Sequence, residues 1–259
     1  MKVGLTLPQF RSGSEPALET AARAEAVGLD GVFVFDHLWP LGRPDRPALH
    51  GLTLVAALLA ATDRVTVGTL VARVGLLPDA VLANTFASLH RMAGDRLVAG
   101  VGVGDAMSRP ENVAIGVAFR PRPERLANLV AVCRRLRARG ITTWVGGNAP
   151  STRALGWAEA DAVNVWGVAP DALAADMAEA RSLVDRLNDV PPGTARHRDA
   201  LAFTWAGQVD LATLGPTGVA GQLRAVAATG ATWAVVAPIN ADWTNAVETV
   251  AAAKRSLVD

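Results

Sequence analysis

Gly31-Val32-Phe33-Val34-Phe35-Asp36-His37 decides how the rest of this chain is read. Four apolar residues in a row, β-branched and aromatic in alternation, suit a strand buried on both faces. That is the pattern of a parallel sheet covered by helices, and not of a half-exposed hairpin. Trp233-Ala234-Val235-Val236-Ala237 repeats it near the other end of the chain. Strand-type runs at 2–7, 31–36, 64–71, 96–103, 142–145, 161–166, 202–209 and 232–237 make eight in all. Each precedes a helical pattern, at 14–27, 51–62, 78–92, 123–139, 151–159, 170–187, 217–229 and 245–257. Ser14-Glu15-Pro16 predicts an N-cap followed by the first helical positions, and Gly28, Gly140 and Gly230 predict three helix ends. Eight strand–helix units in 259 residues is the count and size of a (β/α)8 (TIM) barrel, with a doubly wound open sheet as the competitor.

Composition narrows the function classes. With 51% apolar and 19% charged residues the chain is folded rather than disordered. Twenty-five basic residues against 24 acidic leave a net charge of +1, which gives no electrostatic case for a nucleic-acid or membrane partner. No apolar run approaches the ~18–20 residues of a membrane-spanning helix. The N-terminus meets Pro8 too early to supply a signal-peptide core, so a cytoplasmic protein with one domain over 1–259 is expected. The single cysteine, Cys133, excludes an internal disulfide and Cys-based metal or redox motifs. Lys2 and Lys254 are the only lysines and tyrosine is absent, which restricts Schiff-base chemistry and removes a tyrosine proton relay.

In such a barrel, chemistry sits at the C-terminal ends of the strands. Leu7-Pro8-Gln9, Asp36-His37-Leu38-Trp39, Thr69-Leu70-Val71, Gly102-Val103-Gly104-Asp105, Gly146-Gly147-Asn148-Ala149-Pro150-Ser151 and Gly167 fall there. His37 is the one histidine at a strand end, and its imidazole suits proton transfer or an oxyanion contact; capping a loop is the alternative. His50, His90 and His197 fall in loop or helical contexts and read as structural. Gly100-Val-Gly102-Val-Gly104 ends in Asp105 where a dinucleotide fingerprint needs a sixth-position glycine, so it is not that motif. Its glycines either admit a flat ligand to the backbone or relieve crowding at the mouth. Asp105 reads either as a proton donor or as a cap. The 146–151 turn offers free N–H groups at a helix N-terminus, suited to a phosphate, with a plain tight turn as the other reading. Arg153 on that helix either assists or faces solvent. No His-x-His, His-Glu-x-x-His or Gly-x-Ser-x-Gly pattern supports a metal site or a serine hydrolase.

Several blocks together resemble a known family: Ala21-Ala-Arg-Ala-Glu-Ala-Val-Gly28, Val34-Phe-Asp-His37, Val67-Gly-Thr-Leu-Val71 with Pro78, Leu89 to Gly104, and Trp144-Val-Gly-Gly147. In this order and spacing they resemble the luciferase-like monooxygenase superfamily, and within it the branch using the deazaflavin coenzyme F420. The resemblance implies a bacterial luciferase-like (β/α)8 barrel with the coenzyme ring across its mouth and the coenzyme phosphate on Gly146, Gly147, Ala149 and Pro150. It implies a non-prolyl cis peptide at Leu70–Val71 behind the ring. Asp36, Gly102, Gly104 and Ser108 would contact the coenzyme, His37 would act at the reacting carbon, and Asp105 stands where relatives carry a glutamate proton donor. Trp39 and Trp166 would line a substrate pocket. FMN is the alternative cofactor, and a non-catalytic flavin-binding barrel the alternative role. A homodimer is also implied. The chain departs from the family by crossing from the fourth predicted helix to the fifth strand almost directly, through Arg139-Gly140-Ile141-Thr142, so the barrel is shortened between strands 4 and 5. Nor does it carry the lysines that hold a sugar phosphate in glucose-6-phosphate-oxidising relatives. The expected reaction is hydride transfer between F420 and a small, mainly apolar alcohol, carbonyl or activated alkene.

Overall fold

A computed structural model describes residues 1–186, 202–240 and 242–257. His197 lies outside the described residues. Parallel strands β1 (Lys2–Thr6), β2 (Gly31–Val34), β3 (Thr66–Thr69), β5 (Leu97–Gly102), β6 (Thr143–Gly146), β7 (Ala162–Trp166), β8 (Ala202–Asp210) and β9 (Trp233–Ile239) form a closed barrel. The first and last strands pair through Val3 and Ala234, and Val67 pairs with Leu97 where β3 meets β5. The open-sheet alternative is thereby excluded. Beyond β3 the peptide Leu70–Val71 is cis, and the chain resumes as the two-residue strand β4 (Ala72–Arg73), which pairs with β5. The strand expected over 64–71 thus ends at Thr69, and the pairing at Ala72–Arg73 lies beyond the expected run.

Helices α1 (Glu15–Ala26), α2 (Gly51–Ala61), α3 (Asp79–Ala93), α5 (Arg122–Arg137), α6 (Pro150–Glu159), α7 (Pro170–Arg186), α8 (Leu211–Ala228) and α9 (Trp243–Arg255) wrap the outside. A short helix α4 (Arg109–Ala114), absent from the sequence reading, follows β5. Ser14 does not cap α1: its backbone is already helical and its hydroxyl makes no capping bond. Asp210 and Asp242 do cap, accepting the N–H of Thr213 (3.0 Å) and Asn245 (2.9 Å). Helix α8 starts earlier than expected because two segments join across Gly215, with Pro216 opening the second. Helix α5 runs to β6 through a short turn, as the shortened sequence implied. None of the described helices is long and apolar enough to cross a membrane.

The lower interior is packed by aromatic rings. Phe33 stacks on Trp144 (centroids 5.3 Å apart), and Trp233 meets both edge-on at 5.8 and 5.5 Å. Neighbouring strands make room by carrying glycine: a Cβ at Gly4 or Gly68 would press on the Phe33 ring, and one at Gly31 on both Trp233 and Phe33. Between helices and strands a continuous apolar layer includes Leu5, Leu58, Phe86, Leu97, Leu129 and Leu223, all essentially inaccessible to water.

Gly100 on β5 faces the Thr69 carbonyl of β3 so closely that a Cβ would overlap backbone oxygen, which cannot step aside as a flexible side chain can. Gly100→Ala is therefore expected to cost at least about 1–3 kcal/mol. Gly221→Ala in α8, with open space around its Cβ, should gain up to about 1 kcal/mol. Denaturant midpoints of the two variants test this opposition.

Candidate functional site

The strand ends surround a cavity of about 690 Å³ above the aromatic floor. One wall is aromatic: Phe10 stacks on Phe35 at 6.0 Å, Phe35 meets Trp166 edge-on at 5.6 Å, and His37 lies 6.5 Å from Phe35. Gln9, fully buried, ties the loops behind that wall. Its amide donates to the carbonyls of Phe35 and Leu49, and its oxygen accepts the Phe35 N–H at 2.7 Å.

A buried charge cluster holds His37. Arg73, two residues past the cis peptide, donates its backbone N–H to Asp36 Oδ2 (2.8 Å) and its guanidinium to the Asp36 carbonyl (2.8 Å) and the Ser108 carbonyl (3.2 Å). The same guanidinium pairs with Glu111 Oε2 at 2.6 Å. The other oxygen, Glu111 Oε1, accepts from His37 Nδ1 at 3.0 Å. Asp36, Arg73 and Glu111 are all nearly inaccessible to water, whereas the His37 side chain keeps 22% of its surface exposed, on the cavity side. Burial pushes the Asp36 carboxyl above its usual 3.8; the Arg73 N–H and guanidinium pull the other way without cancelling the shift.

Across the mouth, Gly146-Gly147-Asn148-Ala149 leads into α6, whose N-cap is Ala149. Gly147 has φ +152°, and a Cβ there would press on Thr152. Arg122 reaches over from α5 to the hydroxyls of Ser151 (3.1 Å) and Thr152 (3.0 Å), adding a cation beside the helix N-terminus. Asn148 clamps Trp166 by a pair of bonds, donating to its carbonyl (2.7 Å) and accepting its N–H (2.9 Å). Between the two rims lies Val71, confined because a Cβ at Gly102 or Gly146 would overlap its side chain.

Of the residues expected at the site, Asp36, His37, Leu70, Val71, Gly104, Asp105, Ser108, Gly146, Gly147, Ala149 and Trp166 line this one cavity. Gly102 is buried behind Val71, Pro150 forms the first turn of α6, and half-buried Trp39 stays outside the cavity wall. Asp105 is exposed and turned back on its own chain, its Oδ1 accepting both the N–H and the hydroxyl of Ser108 at 3.1 Å. Capping thus accounts for its carboxylate in this state. Arg153 neither assists nor faces solvent: it is buried and pairs with Asp176 at 3.1 Å. His50 caps α2, and His90 binds the Gly94 carbonyl at 3.0 Å.

Sequence reading passed over Arg73, Glu111, Arg122 and Arg125. An arginine inside Val71-Ala72-Arg73-Val74 is the visible signal, because a charge in an apolar strand run needs a buried partner. Arg125 binds the Val103 and Gly104 carbonyls and lies over the Phe119 ring at 4.1 Å, bracing the loop that carries Asp105.

The luciferase-like monooxygenase family model matches residues 1–146 of this chain. The F420-dependent glucose-6-phosphate dehydrogenase of Intrasporangium calvum is 32% identical over 153 residues, 56% of this chain and 45% of that protein. The enzyme of the same name from Amycolatopsis mediterranei is 35% identical over 129 residues, 48% of this chain and 36% of that protein. The matches thus span less than half the length of these relatives. An F420-dependent secondary alcohol dehydrogenase, solved with an F420–acetone adduct, superposes with a TM-score of 0.80 at 15% identity, over 100% of this chain and 99% of that one. The coenzyme F420-dependent tetrahydromethanopterin reductase of Methanopyrus kandleri superposes at 0.72 with 13% identity, over 96% and 97%. At such identities the two superpositions establish the fold.

Asp36 tests the electrostatic account. Its folded-state pKa is raised, so the folded state is favoured while the group is protonated, and that contribution is lost as pH rises from 3.8 through the raised value. Asp36→Asn keeps an oxygen for the Arg73 N–H but cannot ionise. Across this window the stability of wild type relative to Asp36→Asn should therefore fall as pH increases, as measured by chemical denaturation in a pH series.

Proposed function

This chain belongs to the luciferase-like monooxygenase family, and on that footing we propose that residues 1–259 form a single-domain oxidoreductase using coenzyme F420. The observation that carries the proposal is one cavity that unites His37, the Leu70–Val71 peptide and the N-terminus of α6 with Arg122 beside it. The residues present fit the coenzyme: Val71, confined from both sides, offers a flat apolar seat for a ring system. The Ser151 N–H in the first turn of α6, the Thr152 hydroxyl and Arg122 form a donor set for a phosphate, the Thr152 and Arg153 N–H groups being taken by the Ala149 carbonyl. The naming of the curated relatives as F420-dependent supports this choice over FMN. When bound, the coenzyme would supply two-electron hydride transfer at one ring carbon.

His37 then holds or moves the proton at the substrate oxygen, with Phe10, Phe35 and Trp166 excluding water around it. Asp36, held by Arg73 at the cavity lining, would stand beside the coenzyme. Asp105 would have to leave Ser108 to act as a second proton donor. Arg73 and Arg122 are the arginines lining the cavity, and no lysine lines it. Arg73 is already matched by two carboxylates, and Arg122 serves the phosphate rim. Among the described residues no further arginine or lysine lines the cavity to meet a phosphorylated substrate, which favours a small uncharged alcohol, carbonyl or activated alkene over the sugar phosphate named for the curated relatives.

Fluorescence titration should show saturable F420 binding. Arg122→Ala should weaken it about 10–100-fold, the worth of a hydrogen bond to a charged group. His37→Ala should retain binding but slow hydride transfer to or from a panel of small alcohols and enones by about 10²–10⁴-fold. Saturable FMN binding without F420 binding would reverse the cofactor assignment. Tight F420 binding without turnover across the panel would leave a binding protein.

A further inference from the structure

We propose that Glu111 is the positioning residue for His37: its buried carboxylate accepts a hydrogen bond from Nδ1–H, fixing the neutral imidazole as the Nδ1–H tautomer and presenting Nε2 to the cavity as a proton acceptor. The geometry is direct. Glu111 is fully buried, His37 Nδ1 lies 3.0 Å from its Oε1, and that contact is the ring's one hydrogen bond among the described residues. A carboxylate has no proton to give, so the shared proton belongs to Nδ1. Glu111 cannot swing away, because Arg73 grips Oε2 at 2.6 Å and is itself fixed by Asp36 and the Ser108 carbonyl. Phe35 limits the ring from the side.

The consequence for chemistry rests on the function proposed above. In alcohol oxidation, with bound coenzyme the acceptor that would take the carbinol hydride, the hydroxyl proton would pass to Nε2, leaving a carbonyl and an imidazolium. Glu111 then faces the new positive charge at hydrogen-bond distance. With His37 protonated, Asp36 and Glu111 balance Arg73 and the imidazolium one for one. In the reverse direction the same proton returns to the carbonyl oxygen from Nε2. Glu111 touches neither substrate nor coenzyme and acts through His37 alone.

Imidazole ¹⁵N spectroscopy of the wild-type protein without coenzyme tests the tautomer, with His37→Gln identifying the signal. The neutral ring is expected to be protonated on Nδ1; protonation on Nε2 overturns the inference, and this measurement needs no variant of Glu111. In Glu111→Gln, F420 affinity should stay within about threefold of wild type, well inside the factor expected for losing one hydrogen bond. Hydride transfer should fall at least about 10-fold as the ring loses its charged partner. Unchanged transfer in Glu111→Gln with F420 bound overturns the positioning role while leaving the F420 assignment intact. Failure of wild type to bind F420 sinks that assignment but not the tautomer.

Discussion

Phe33 can occupy the barrel axis only because the strands around it withhold their side chains. Gly4, Gly31 and Gly68 bring three backbones against or near one ring, and Trp144 and Trp233 complete the layer from the far side. The barrel is therefore filled below by aromatic area and left empty above, where side chains give way to loops. A shallow cavity at the C-terminal rim follows directly from this division. The neighbouring residues on β2 inherit their positions from it: with Phe33 inward, Phe35 and His37 emerge two and four residues later along the same face. They enter the cavity, while Asp36 turns into the layer between β2 and β4.

That layer carries the costliest chemistry in the molecule. Removing two carboxylates and a guanidinium from water costs several kcal/mol per ion before pairing offsets it. The offset here is geometric: Arg73 spends its backbone N–H and its guanidinium on Asp36, Ser108 and Glu111, so each charge meets a fixed partner. Buried ion clusters of this kind often add no more stability than apolar side chains of the same volume. What the charges supply is a rigid frame for an imidazole that must stay at the edge of a cavity without turning. The raised pKa of Asp36 marks the remaining cost.

The barrel was legible because its strands are buried on both faces, which makes apolar runs nearly continuous and their count unambiguous. His37 and the 146–151 turn were legible because strand ends in a barrel converge by geometry alone, whereas the cis peptide at Leu70–Val71 was legible only through the family resemblance. Arg73 and Glu111 were not, since their partnership joins β4 to a six-residue helix 38 positions away, and no periodicity records a pairing across such a distance. Glu111 in the first turn of a helix reads as a complement to the helix dipole until its burial is known. Trp39, expected beside His37 at the pocket, is half-buried outside the cavity wall, while Pro40 and Leu41, next along the chain, line it. Ser14 failed as a cap for a local reason: its backbone had already entered the helix.

The cavity is divided along the chain. Asp36, His37, the cis peptide, Arg73, Asp105, Ser108 and Glu111 all precede residue 146, where the family match ends, whereas Asn148, Asn164, Trp166 and Gln208 come after it. The charged frame and the seat behind the ring thus belong to the half that the family shares. The second half contributes only neutral side chains to the cavity lining, together with the glycine turn. A frame of interlocked buried ions tolerates little change, because loss of any member strands its partners in low dielectric. A wall of neutral residues, some of them exposed, can vary at smaller cost. The buried ion frame and the neutral wall are consequently separable in this architecture.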